Sequence, residues 1–512
     1  MSVVLLAGML GPAIAGDARP EPVQLVGTDP AVVIRLHDLP RTCERLRTSP
    51  FPALAQSAWG ELARTRLQSA FAPHADADVG SATATISSVA IGIDDAAENA
   101  DVRAAVATVG DAGPMRALCR SVCDSEQPAD SGPRRWLCPL GQIVEHGGVF
   151  AFQSSLGDQT IVPGPGRVPG SPAVCVEISA EPQRLVQLLM RRDGIAVAPA
   201  PIPSETSRRM TIGISVDPIG LRETWDLPIA CPTMPPARIS LFDTLPPTTL
   251  MAVTFHADPA ATGRLVAQAL EANPVLQLRL HVMMAQFGLP PLPVVCSGLE
   301  GDTLIYCEDG APFPYITIAA GMSEDVARSI LPVFAIGVDM TRVPDGALSG
   351  FLGKVPFQAG YSEGQLILTT NPQGVAGFGR RQGGFTSLPE AERAMAELPP
   401  GAVFAGISRS GAASSALART ALMPFAHIGV PQLSTMPQDL ATHARHGFIA
   451  VTTGDHGMTL TAGGLLGGPL STYSLLGGAA YANYLRNVRI LERQLQDLRN
   501  RQARTSDSAK RM

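Results

Sequence analysis

Cysteines, histidines and short glycine-rich stretches are where this 512-residue chain could do chemistry. Its eight cysteines form an even set, as expected of a protein that matures in an oxidising compartment and closes bridges there. Cys296 and Cys307 bracket the stretch CSGLEGDTLIYC. Two strands folded about a Gly301-Asp302 turn would set these cysteines opposite each other, so Cys296–Cys307 is the predicted disulfide. Cys119, Cys123 and Cys138 form a second local group. One helical turn separates the first two, but paired C-x-x-C knuckles and a neighbouring histidine are missing, which argues against zinc.

Other motifs fail on spacing. In GVAGFGRRQGG, Gln382 stands where a dinucleotide-binding G-x-G-x-x-G requires glycine, and no Walker lysine is near, so a glycine-rich turn is expected. In GISRSG, Ser410 occupies a glycine position of the nucleophile elbow. His443 and His446 are three apart without the glutamate of H-E-x-x-H, and read as surface histidines at a helix end. Asp455-His456, Asp94-Asp95 and Glu145-His146 read as turns, and Trp59, Trp136 and Trp225 are isolated. No catalytic, cofactor-binding or metal-ligating residue is assigned, and no cofactor is implied.

A recurring unit would position whatever chemistry exists. An apolar strand, a small or acidic residue and a helix with leucines at three-to-four spacing begin at Pro30, Pro172, Thr248, Pro314 and Ala402. At one junction Asp258 and Pro259 offer N-cap and first-turn chemistry. Hairpin-like segments such as ATATISSVAIGID, GGVFAFQSS, RRMTIGISVDP and GQLILTTNPQG lie between the units. The predicted class is therefore α+β, with repeated strand–helix units, antiparallel sheets covered by helices on one face, and a C-terminal helix. Proline-rich stretches at 162–172 and 228–240 read as linkers, with the main boundary near Pro236.

The phrases DLPRTCERLRTSPFPALAQSAWGELARTRLQ, FDTLPPTTLMAVTFHADP and SGLEGDTLIYCEDGAPFPYITIAAGMSEDVARSIL resemble a family of uncharacterised, exported bacterial proteins of the domain-of-unknown-function type. The resemblance spans roughly Pro30 to Gly464. It implies export and repeated α+β units, often with an apolar or pilin-like segment near the C-terminus. It brings no catalytic residues.

The chain ends point the same way. MSVVLLAGMLGPAIA has the apolar core and small-x-small site of a secretory leader, although no basic residue precedes the core. Residues 457–485 contain no Asp, Glu, Lys, Arg or His, a length sufficient to cross a bilayer but rich in glycine. Residues 486–512 then carry eight basic side chains against three acidic ones, the asymmetry of a tail held in the cytoplasm. The organisation read from sequence is a signal peptide at 1–15, α+β domains at 16–235 and 236–456, a transmembrane or buried apolar helix at 457–485, and a basic helical tail at 486–512.

Charged residues make up only 16% of the chain, below the ~25% usual for soluble domains, and the net charge is −6 without a basic stripe, which excludes nucleic acid as a partner. The expected function is that of a non-enzymatic envelope protein, exported and tethered through 457–485, that binds or scaffolds an envelope protein or a small apolar ligand. The alternatives are a secreted hydrolase with residues scattered over loops, and a periplasmic carrier of an apolar ligand.

Overall fold

The computed structural model describes residues 22–26, 30–57, 61, 84–95, 100–127, 133–138, 141–153, 175–181, 184, 209–228, 234–258, 277–278, 281–282, 284–285, 295–296, 298–311, 313–337, 340–342, 347–352, 355–422, 436–443, 445–454, 457–465 and 468. The expected leader at 1–15, the expected linker at 162–172, the helix expected after Asp258 and the tail at 486–512 lie outside them.

β-branched and alternating segments dominate, and they pair into one sheet of 20 strands. The first ten are β1 (Val32–Leu36), β2 (Ile86–Asp95), β3 (Ala100–Thr108), β4 (Ser125–Gln127), β5 (Arg134–Cys138), β6 (Gly141–His146), β7 (Val149–Gln153), β8 (Val176–Ala180), β9 (Met210–Asp217) and β10 (Gly220–Leu227). The second ten are β11 (Thr249–Ala257), β12 (Leu299–Glu308), β13 (Tyr315–Met322), β14 (Thr341–Arg342), β15 (Leu348–Leu352), β16 (Val355–Ser362), β17 (Gln365–Thr369), β18 (Phe404–Ser408), β19 (Gly447–Gly454) and β20 (Gly457–Gly464). The described helices are α1 (Leu39–Thr48), α2 (Phe51–Gln56), α3 (Gly113–Val122), α4 (Glu324–Gly337), α5 (Gly374–Gly379), α6 (Pro389–Ala396), α7 (Ser410–Leu422) and α8 (Met436–His443).

Every pairing is antiparallel, and together they give one lateral order. The first half runs β4-β5-β6-β7-β3-β2-β1-β8-β9-β10. The second half, read inward from the far edge, runs β14-β15-β16-β17-β13-β12-β11-β18-β19-β20. Each strand of the second half thus occupies the place of the strand ten earlier, and β10 pairs with β20 to fuse the halves.

The correspondence holds at the level of single hydrogen bonds. Glu181 N donates to Ala31 O at 3.0 Å, and Arg409 N to Leu250 O at 2.8 Å, in the same registers of β1/β8 and β11/β18. Cys175 N to Ile214 O and Val403 N to Val451 O, both 2.8 Å, form a second such pair. Thr108 N to Gly148 O at 3.0 Å and Met322 N to Gly364 O at 3.2 Å form a third. Buried positions match as well: Ala90, Ala105 and Ala151 in one half answer to Leu304, Ala319 and Ile367 in the other.

These findings correct the predicted class. The chain does not form separate α+β sheets covered on one face, since the sheet is continuous and covered on both. Ala105 packs with Leu25 and Val26 on one side, while its neighbour Val106 packs with Met115 and Trp136 on the other. Strands buried on both faces read as unbroken apolar runs, so sequence alone does not reveal the second face. The predicted C-terminal helix fails at its start, because 457–464 is strand β20. There Met458, Leu460 and Ala462 alternate with Thr459 and Thr461, a period of two rather than of a helix. The rest of that apolar stretch lies outside the described residues apart from Leu465 and Gly468.

The β6–β7 and β16–β17 turns show one consequence of the correspondence. Gly147-Gly148 have φ of 56° and 86°, and Glu363-Gly364 have 53° and 75°, so both turns need two left-handed residues. Glu363 adopts this conformation at a cost that its glycine counterpart avoids. Glu363→Gly is expected to stabilise the protein by up to about 1 kcal/mol in chemical denaturation; a loss of stability would contradict this reading of the turn.

Candidate functional site

Partly and fully buried ionisable groups gather where the halves meet. Strand alternation in GLRETWDL sends Arg222, Thr224 and Asp226 to one face of β10 and Glu223 and Trp225 to the other. Arg222 donates from Nε to Asp217 Oδ2 at 3.1 Å, within its own hairpin, and from Nη2 to Glu397 Oε2 at 2.8 Å, just beyond α6 in the second half. Its guanidinium also lies 5.1 Å from the ring centroid of Phe448 on β19. Burial works against this charge, yet Glu397 and Asp217 together hold its pKa above the ordinary value. Asp217 Oδ1 also accepts from Ile219 N at 2.8 Å and so closes the hairpin turn. With about a third of each side chain exposed, the Arg222–Glu397 pair contributes on the order of 1 kcal/mol. It acts less as a source of stability than as a positional lock between the halves.

On the opposite face Glu223 is fully buried and accepts from Trp225 Nε1. The two backbones meet so closely at the seam that a Cβ on Gly220, at φ 136°, would collide with Gly464 O.

His446 completes the cluster. It immediately precedes β19, is 6% exposed, and neither ring nitrogen has a hydrogen-bond partner. Burial pushes its pKa below the ordinary 6.5; Glu397 and Asp217 pull it upward, while Arg393 and Arg445 add to the depression. The residue in the corresponding place of the first half is Arg209. It donates from Nη2 to Pro30 O at 2.8 Å and from Nε to Ser179 Oγ at 2.9 Å. An arginine that ties strand ends together is thus replaced by a buried, unpartnered histidine.

A second echo joins the halves. His37, which follows β1, and His256, at the matching position of β11, each meet a carboxylate at 3.1 Å, Glu177 and Asp302 respectively. The histidines correspond in register but the carboxylates do not: Glu177 is on β8 and Asp302 on β12.

The residues singled out in the sequence are dispersed. Cys296 and Cys307 are both free: 299–308 is one strand with an irregular register at its start, not a hairpin. The strand therefore holds the two cysteines apart, and burial pushes the Cys307 thiol up to about 11. The disulfide present is Cys123–Cys138, which ties the end of α3 to β5, within the group that had been weighed as a metal site. Among the described residues no group of three or more His, Cys, Asp or Glu is placed to hold a metal.

His446 is a buried residue of the seam, not a surface histidine, and it lies beyond the helix that ends at His443. Ser408 ends β18 and Ser410 begins α7, and neither hydroxyl is hydrogen-bonded to His446. Glu145 is held by a bidentate Arg116, whose pKa it raises, and neighbouring His146 is pushed down by burial. Sequence reading missed Asp217, Arg222, Glu223 and Glu397. The one available signal was an arginine and a glutamate adjacent within an otherwise strand-like run.

No family model matches the sequence, and no curated protein does. Among solved structures, crystal forms IV, I and III of TP0453 share 10%, 10% and 9% identity with this chain at TM-scores of 0.27, 0.26 and 0.21. They cover 41%, 42% and 69% of it, and 82%, 83% and 93% of their own length. Likeness at that level carries no argument about fold or function.

A histidine held neutral by burial stabilises the fold above its ordinary pKa, and that contribution is lost as pH falls below 6.5, because the unfolded chain takes up the proton first. Stability measured by denaturation is expected to drop between pH 7 and pH 5, and His446→Gln is expected to flatten the drop. An unchanged slope in the variant would remove His446 from this role.

Proposed function

We propose that this chain is an extracytoplasmic, non-enzymatic binding or scaffolding protein of the bacterial envelope. The observation that carries the reading is the continuous 20-stranded sheet formed from two like halves. At about 4.8 Å per strand such a sheet extends about 90 Å along its hydrogen-bonding direction, a broad platform for other molecules. The Cys123–Cys138 bridge supports an oxidising location, since such bonds persist outside the reducing cytosol. A secretory leader at 1–15, as expected from the sequence, would agree with this.

No described helix is long and apolar enough to cross a membrane. With 457–464 committed to the sheet and Gly468 buried against Glu223, the tether would be residues 469–485, an uncharged stretch followed by the basic tail.

Native protein taken from cells quenched with an alkylating agent is expected to yield a non-reduced peptide joining Cys123 to Cys138. A C-terminal tag is expected to resist protease in intact cells while the body is digested. Alkylated thiols at both cysteines would overturn the location, and digestion of the tag would overturn the tether.

A further inference from the structure

The glycine-rich stretch GVAGFGRRQGG, which fails as a phosphate loop by spacing, lays a partly buried arginine on the edge of the core of the second half. After α5 the chain turns through Gly383, at φ 70°, where a Cβ would stand 2.6 Å from Asp243 O. Phe385 N then donates to Leu245 O at 3.0 Å, and Thr386 Oγ1 to Asp243 Oδ1 at 2.7 Å. This pinned loop lays Arg381 face-on against Phe378, with Cζ 3.4 Å from the ring centroid. Phe378 belongs to the main apolar cluster, together with Leu304, Tyr306 and Ile367.

Stacking satisfies the face of a guanidinium and leaves its edge donors to find acceptors. Arg381 interacts through a side-chain hydrogen bond with Tyr306, while its Nε and Nη1 are shielded from solvent and have no hydrogen-bond partner. Burial depresses the arginine, with Tyr306 and the carboxylate of Glu363 acting against the depression. Tyr306, 4% exposed, is itself pushed up by burial, while Thr317 and Arg381 act to lower it. Glu363 makes no ion pair with Arg381, so the positive charge stands in an apolar setting without a counter-charge in contact. Buried charges are ordinarily paired, and an unpaired one is costly. At the matching position of the first half Gly92 replaces Tyr306, and the backbone of Val26 lies over it. This arrangement is therefore confined to the second half.

We propose that Arg381, with the Tyr306 hydroxyl beside it, receives an anionic oxygen group, either a free oxyanion or the carboxylate or phosphate head of an apolar ligand. The proposal rests on reading the chain as a binding protein. Its test is separable from that of location, because it uses purified protein and does not depend on Cys123–Cys138.

Binding of inorganic phosphate, dodecanoate and dodecyl phosphate to the full chain would be measured by calorimetry and thermal shift. At least one probe is expected to bind saturably and to raise the Tm. Arg381→Met is expected to weaken that binding at least tenfold, while giving an unliganded Tm equal to or above the parent because a partly buried charge with no carboxylate in contact has gone. Arg381→Lys, which keeps the charge, is expected to retain part of the affinity. Binding of phosphate would assign a free oxyanion, and binding of the amphiphiles alone would assign the head group of an apolar ligand. Failure of all three probes to bind, equal binding by Arg381→Met, or a lower unliganded Tm in that variant would overturn the proposal, the last by making Arg381 a structural residue.

Discussion

The antiparallel ladder between β10 and β20 is the constraint on which the rest of the structure depends. Seven residue pairs, from Leu221–Gly464 to Leu227–Met458, join strands that would otherwise each end a ten-stranded sheet with an exposed row of amides and carbonyls. Thr224 pairs with Thr461, and these two residues occupy equivalent places in their halves, so the approximate two-fold relation passes through that pair. The edges left over are β4, of three residues, and β14, of two, both exposed. Edges so short offer little template for further pairing.

Two like halves on one sheet provide a reference for reading each side chain, because a residue can be compared with its counterpart. Where the counterparts agree, as in the buried alanines and isoleucine of β3, β13 and β17, packing explains them. At two places where they differ sharply, His446 and Arg381, the second half carries side-chain nitrogens without hydrogen-bond partners. His446 replaces an arginine that makes several hydrogen bonds, and Tyr306 with Arg381 replaces a glycine under a loop. Unsatisfied buried polar groups are uncommon in native proteins and call for a reason. Trp136 Nε1 and His146 Nε2 are in the same condition in the first half, so it is the difference from the counterpart, not the missing partner alone, that singles out His446 and Arg381.

Local patterns were legible in the sequence and long-range ones were not. The strands in GGVFAFQSS, RRMTIGISVDP and GQLILTT announce themselves by alternation and β-branching. The helix after Pro389 and the strand–helix junction at Ser408–Ser410 follow from ordinary start signals. Which strand pairs with which depends on contacts more than a hundred residues apart, as between β10 and β20. The chargeless composition of 457–485 suggested a membrane helix and masked the period-two alternation of its first eight residues. Cys296 and Cys307 looked like hairpin partners because Gly301-Asp302 is a good turn sequence, whereas Gly301, at φ 80°, serves an irregularity within a single strand. Of the seam cluster only His446 and Trp225 drew notice, since a charged triad split between one hairpin and a helix end 175 residues away leaves no spacing to detect.

The most direct test of the fused sheet is a cross-link across its centre. Cysteines placed at Thr224 and Thr461, directly opposite on β10 and β20, stand within the reach of a disulfide in an antiparallel pair. Mild oxidation of the Thr224→Cys, Thr461→Cys double variant is expected to give an intramolecular bond between these two positions, mapped by peptide mass, in protein that keeps its unmodified Tm or exceeds it. A folded double variant in which both new thiols stay free under the same oxidation would show that β10 and β20 are not neighbours, and the single sheet of two like halves would fall with them.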